Sequence, residues 1–135
     1  MILNREVGGY ARGDVIRLMG SFQTNGAGAV TIIRDGHSFC VLSVVFISTG
    51  IWEVTFDAGF PVPELLVKEM AGVSPIVGAT VALFCGIQAN SWNRVTRKFR
   101  INTTNSAAVL TNPDVGSRIN FQLVGSITSP GTDLA

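Results

Sequence analysis

Residues 29–57 constrain the fold of this chain more than any other stretch, because apolar runs alternate there with turn residues at strand spacing. Three consecutive antiparallel strands are expected. Asp35-Gly36 separates residues 30–34 from the long run 38–47, and a glycine at that place supplies the positive φ of a tight hairpin. Ser48-Thr49-Gly50 marks the second reversal. In the third strand Trp52, Val54 and Phe56 alternate with Ile51, Glu53, Thr55 and Asp57, which predicts one buried and one solvated face. The middle strand differs. It offers Phe39, Val41, Val45 and Ile47 on one side and Cys40, Leu42, Val44 and Phe46 on the other. Apolar on both faces, it asks for cover on both, from a second layer of the same domain or from another subunit.

The rest of the chain repeats the pattern. Residues 15–22 predict a strand with Ile16, Leu18 and Phe22 toward the core, and Asn25-Gly26-Ala27-Gly28 a loop. The prolines of Gly59-Phe60-Pro61-Val62-Pro63 exclude a helix interior or a central strand, so the chain leaves the sheet there. Segment 63–70 fits a short strand or a single helical turn, since Pro63-Glu64 is a helix-start signal but Ala71-Gly72 soon ends the run. Residues 79–89 predict a strand with Val81, Leu83, Cys85 and Ile87 on one face. Residues 94–103 would be its hairpin partner across Asn90-Ser91-Trp92-Asn93, with Val95, Phe99 and Ile101 inward. A short strand at 107–110, a turn at Thr111-Asn112-Pro113-Asp114 and a last strand at 118–127, with Ile119, Phe121 and Leu123 inward, complete the series. The expected fold is all-β: a single-domain antiparallel β-sandwich over residues 15–128, jelly-roll-like, with extended arms at 1–14 and 129–135.

A chain of 135 residues buries an adequate core as one domain. Its charged residues amount to 14%, against about 25% in typical soluble proteins. So thin a charged coat suits a protein that lives packed against other subunits, or one with a polar, uncharged surface. A net charge of +1 gives no long-range field, and neither a nucleic-acid nor a membrane partner is expected. The N-terminus lacks the basic start and apolar run of a secretory signal, so synthesis in a cytoplasm is expected. Cys40 and Cys85 lie inside apolar strand patterns and read as reduced, buried thiols, although sequence leaves a disulfide between them open.

Catalytic chemistry finds no constellation. The single histidine, His37, beside a turn, forms neither a zinc signature nor a nucleophile-base pair, and no cofactor, metal or small-molecule substrate is expected. Glu53 and Asp57 share a strand face at a spacing that suits solvated carboxylates better than a glycosidase pair. Arg94, Arg97, Lys98 and Arg100 concentrate positive charge just after Trp92. That cluster would meet acidic groups of another subunit, a nucleic-acid backbone or simply water. Trp92 is either a cap on the core or an exposed anchor. In the arms, Ile2, Leu3, Tyr10 and Leu134 are isolated apolar anchors.

The run Gly20-Ser21-Phe22-Gln23-Thr24-Asn25-Gly26 through Val30, Arg34-Asp35-Gly36, Thr49-Gly50-Ile51-Trp52-Glu53-Val54-Thr55-Phe56 and Phe60-Pro61-Val62-Pro63 resembles virion structural proteins of tailed bacteriophages. It is most similar to small capsid decoration, or cement, proteins, over roughly the first half of the domain. The resemblance implies a non-enzymatic protein on the outside of a capsid, often trimeric, that bridges capsomers and clasps them with its termini. Its partners would be the major capsid protein and copies of itself. Contact residues under this reading are Ile2, Leu3, Tyr10, Trp92, Arg94, Lys98, Arg100 and Leu134. The alternative is a trimeric receptor- or glycan-binding head of a phage fibre, with Trp92 and nearby asparagines in a sugar groove.

Overall fold

Alternating β-branched and aromatic residues form eight strands in the computed structural model, which describes residues 15–26, 28–34, 38, 40–63, 65–74 and 83–126. They are β1 (Val15–Gly26), β2 (Ala29–Ile32), β3 (Val41–Ser48), β4 (Ile51–Phe56), β5 (Leu65–Ser74), β6 (Phe84–Ile87), β7 (Lys98–Thr104) and β8 (Arg118–Ser126). All pairings are antiparallel and give two four-stranded sheets, β2-β1-β8-β5 and β3-β4-β7-β6. Rings from one sheet meet rings from the other, Phe22 on Trp52 at 5.5 Å and Phe99 on Phe121 at 5.3 Å, so the sheets are stacked as a sandwich. The arms at 1–14 and 129–135, with Ile2, Leu3, Tyr10 and Leu134, lie outside the described residues.

The central three-strand meander forms only in part. β3 and β4 are a hairpin, and Gly50 at its turn has φ +73°, while its N–H donates to Asn112 Oδ1 at 2.8 Å. A Cβ there would stand 2.7 Å from the Thr103 carbonyl oxygen. β2, however, pairs with β1 and not with β3, so the chain changes sheets between Ile32 and Val41. Eight residues separate these strands, too many for a two-residue hairpin, and Ser38 ties the connection to the other sheet. Its hydroxyl oxygen accepts from Ser21 N–H at 2.8 Å, and the Arg34 guanidinium donates to Ser38 O and Val41 O, each at 2.9 Å. Asp35, Gly36 and His37 are outside the described residues.

Other boundaries move for identifiable reasons. Gly26 pairs with Ala29, so the expected loop at 25–28 is the turn of a β1–β2 hairpin. From Leu65 onward segment 63–70 belongs to strand β5, because the ladder offered by β8 overrides the helix-start signal. Val95 does not point inward. Asn93 Oδ1 accepts from Val95 N–H at 2.9 Å and Thr96 N–H at 3.1 Å, closing a tight turn that leaves Val95 at 84% exposure and delays β7 to Lys98. Residues 107–110 are likewise a turn: Asn105 Oδ1 accepts from Ala107 and Val109 N–H, and only one bridge, Thr104 to Leu110, remains of the expected strand.

β3 departs furthest from simple alternation. Its pairing with β4 slips between Val41 and Ser43 and again between Phe46 and Ser48. Each extra residue rotates the following side chains, so Val41 and Val44 both face inward. The expected face of Val41, Val45 and Ile47 is therefore divided: Val41 is buried, whereas Leu42, Val45 and Ile47 are 55%, 50% and 40% exposed.

One cluster fills the interior, with Ile16, Leu18, Phe22, Trp52, Val54, Phe56, Phe99, Ile101, Ile119, Phe121 and Leu123 among its buried members. Phe121 sits at its centre, at 6.4 Å from Phe22, 6.3 Å from Phe56 and 5.3 Å from Phe99. Its ring occupies the space above Gly20, where a Cβ would lie 2.6 Å from Phe121 Cζ and 2.8 Å from Val41 Cγ2. Gly20→Ala is therefore expected to destabilise the fold by about 1–3 kcal/mol. Urea denaturation should show a lower midpoint at an unchanged slope.

Candidate interaction surfaces

The charged residues singled out in the sequence meet on the outer face of the β4–β7 pair. Register places Glu53 beside Arg100 and Thr55 beside Lys98. Arg100 Nε donates to Glu53 Oε2 at 3.3 Å, and Lys98 Nζ stands 3.6 Å from Glu53 Oε1. Two cations of the basic cluster are thus engaged by a carboxylate of the same chain. Arg97 turns the other way: its guanidinium donates to the carbonyls of Asp57 and Phe60, fixing the exit from β4. Asp57 Oδ1 accepts from Gly59 N–H at 2.8 Å, so Glu53 and Asp57 serve separate local structures. Arg94 stands exposed in the turn beside Val95.

Trp92 rests edge-on against Phe56 at 6.2 Å and packs on the core cluster. Its indole Nε1 is buried and unbonded among the described residues. Of the two readings for this side chain, its contacts are those of a cap on the core. The residues brought together by the fold are then Glu53, Lys98 and Arg100, with Trp92 and Arg97 at the neighbouring sandwich end.

Sequence reading asked for cover on the apolar run 38–47 without locating the exposed part of it, and gave no groove. The exposed part is an apolar band. Leu42, Val45 and Ile47 stand out from β3, and the reversal after Ile47 brings Gly50 against Leu110, whose Cβ is 3.1 Å from where a Gly50 Cβ would stand. Leu110 and Val109 are 40% and 57% exposed, so the band continues from the strand onto the β7–β8 loop. The two-faced apolar run 38–47 was its visible signal. The second surface is a groove of about 560 Å³ on the outer side of the β1-β8-β5 sheet. Outward residues of β8 form its floor, and alternation of polar and apolar residues along 118–123 was its trace in the sequence.

The thiols are separate and reduced. Cys40 is buried beside the Met19 carbonyl, which its Sγ approaches at 3.8 Å, and burial pushes its pKa up. Desolvation pushes the Cys85 thiol from 9.0 up to about 12. Among the described residues no group of three His, Cys, Asp or Glu side chains stands close enough to hold a metal ion. Comparison with family models, with curated proteins and with solved structures finds no match for this chain.

Two outcomes follow from these contacts. Exposed ion pairs contribute little, so Glu53→Gln should lower stability in urea by less than about 1 kcal/mol, a difference that closes in about 1 M salt. The folded Cys85 thiol keeps its proton until about 12, whereas the unfolded one loses it near 9.0, so its stabilising contribution is complete below pH 9 and lost as the pH rises toward 12. The native protein should therefore resist alkylation at Cys85 near neutral pH. Between pH 9 and pH 11 its urea midpoint should fall further than that of Cys85→Ala.

Proposed function

We propose that this protein is a non-enzymatic structural module that works by packing against other proteins of an assembly, as a capsid decoration protein does on a shell. The observation that carries the reading is the apolar band of Leu42, Val45 and Ile47, extended by Val109 and Leu110. A β-sandwich that has already filled its interior has no internal use for five large exposed apolar side chains in one region. Protein partners cover such surfaces, with apolar groups at the centre and polar groups at the rim. Glu53, Lys98 and Arg100 stand beside the band as that rim, since Val45 is the register partner of Glu53. Their mutual pairing leaves the rim with one net positive charge, suited to a surface that offers an acidic group.

The phage resemblance of the first half of the domain supports the choice of partner: a shell protein together with copies of this chain, as trimers. Residues 1–14 and 129–135 would clasp neighbouring capsomers under this reading. The protein would then reside on the virion surface and do mechanical work, adding buried area at each lattice position.

Co-sedimentation with expanded, undecorated tailed-phage shells tests this directly. The wild-type chain should saturate at a fixed ratio to the shell protein. Leu42→Asn combined with Val45→Asn should keep its stability in urea within about 0.5 kcal/mol of wild type, as exposed positions do, and fail to saturate. Removal of residues 1–12 should leave a folded domain that detaches on dilution. A wild-type chain that stays unbound, or a double variant that binds equally well, would contradict the proposal.

A further inference from the structure

The Asn25-Gly26-Ala27-Gly28 segment turns β1 into β2, and the ladder between the two strands is irregular just before the turn. Thr24 pairs with Val30 and Gly26 with Ala29, so Asn25 is an extra residue of β1 with no partner opposite. Gly26 with Ala29 is the last rung, at the edge of the β2-β1-β8-β5 sheet. The Asn25 side chain is exposed. Among the described residues it makes one hydrogen bond, Nδ2 donating to Thr31 Oγ1 at 2.5 Å, and Thr31 is exposed as well. The carbonyl end of the carboxamide, Cγ and Oδ1, takes no part in that bond.

Other asparagines are placed differently. Oδ1 of Asn93 accepts from Val95 and Thr96 N–H, and Oδ1 of Asn105 accepts from Ala107 and Val109 N–H. Asn112 Oδ1 accepts from Gly50 N–H, and the next residue, Pro113, has no N–H at all. Asn120 Oδ1 accepts from Ser21 and Arg118. Asn90 is the nearest rival, since it too is exposed. Its successor is Ser91, which carries a Cβ and whose N–H donates to Gln88 O at 3.2 Å. Asn25 alone in this set is exposed, unpaired in its ladder and followed by glycine.

From this placement we infer that Asn25 is a modification site, at which the side chain closes on the Gly26 main-chain nitrogen and is converted to aspartate and isoaspartate. The Gly26 N–H gives its proton to hydroxide, and the nitrogen bonds to Asn25 Cγ. The Cγ–Nδ2 bond breaks, Nδ2 takes a proton from water and leaves as ammonia, and a succinimide ring remains. Water then adds to one of the two ring carbonyls. Opening at Cγ gives aspartate, and opening at the main-chain carbonyl gives isoaspartate, whose chain runs on through Cβ and Cγ. One water is consumed, one ammonia is released and no electron is transferred.

The local fold favours each step. Glycine has no Cβ to crowd the ring as it closes. The bulge leaves the Asn25 main chain outside the ladder, free to turn toward its own side chain. The last rung of an edge hairpin opens far more often than the sandwich unfolds, so the Gly26 nitrogen is reached in the native state. Conversion adds a carboxylate and takes the net charge from +1 to zero. Asn25 is outside the core cluster, so the sandwich stays folded. This inference does not depend on the assembly reading, whose apolar band lies on the opposite sheet.

The test is prolonged incubation of the intact chain in mildly alkaline buffer, read by isoelectric focusing and tryptic mass mapping. Cleavage after Arg17 and Arg34 yields peptide 18–34, in which Asn25 is the sole asparagine. That peptide should show the amide-to-acid mass change before any peptide carrying Asn90 or Asn105, in step with the growth of an acidic isoform. An isoaspartate methyltransferase should label it. Gly26→Ala should slow the conversion about tenfold, and Asn25→Gln, whose longer side chain cannot close the same ring, should abolish it. Asn25→Asp should focus where the aspartate product does. A native chain whose 18–34 peptide stays unchanged would overturn the inference. So would conversion seen only in urea, conversion that persists in Asn25→Gln, or an equal rate in Gly26→Ala.

Discussion

The contact of Phe121 with Phe99 across the middle of the sandwich is the constraint from which the remaining structure follows. β8 is the strand that both β1 and β5 pair with, so the face on which Phe121 lies decides the facing of three strands. With Phe121 inward, Ile119 and Leu123 enter the core on either side, and Arg118, Asn120 and Gln122 stand on the outside. A slip of one residue would reverse every one of these assignments. The ring has neighbours in both sheets, Phe22 on β1 and Phe56 and Phe99 on β4 and β7. It obtains room for this only because β1 passes it with Gly20. Aromatic pairs in tilted or edge geometry stabilise beyond the area they bury, and here three rings share one partner.

Once the interior is filled in this way, the two outer faces are left with different chemistry. The β1-β8-β5 face carries amides, a hydroxyl, a guanidinium and two thioethers around a glycine, with hydrogen bonds fixing its polar groups. The β3-β4-β7 face carries an ion cluster beside exposed leucine, valine and isoleucine. One face presents polar groups in defined directions, the other exposed apolar side chains beside an ion cluster. The bulges in β3 create the second: they turn Val44 into the core and leave Leu42, Val45 and Ile47 outside, where strict alternation would have divided the strand differently.

Much of this was legible in the sequence. Alternation in β4 and β8 identified Trp52, Val54, Phe56, Ile119, Phe121 and Leu123 as core, because strands with one solvated face carry their facing in their period. Gly50 marked a reversal that needs positive φ. What sequence did not disclose depends on partners far along the chain. β2 pairs with β1 through the short turn at 25–28, and the segment after it is anchored by Ser38 meeting Ser21, a contact across seventeen positions that no local pattern encodes. Val95 and residues 107–110 were misplaced because Asn93 and Asn105 cap their own turns, which interrupts strands that the apolar period alone would continue. Trp92 was ambiguous until Phe56 stood beside it. The groove was hidden for the same reason as the topology: its rungs are assembled from β1, β5 and β8, and only the register brings Met19, Gln122 and Met70 into line.

The account rests on Phe99 and Phe121 acting as one cross-sheet unit, and a double-mutant cycle measures that most directly. Urea denaturation of Phe99→Leu, Phe121→Leu and the double variant isolates their coupling from the area each ring buries. A coupling of about 1 kcal/mol, with the double variant less destabilised than the sum of the singles, is the predicted result. Additive losses within about 0.3 kcal/mol would show that the rings stabilise the sheets independently and that the contact does not set the register.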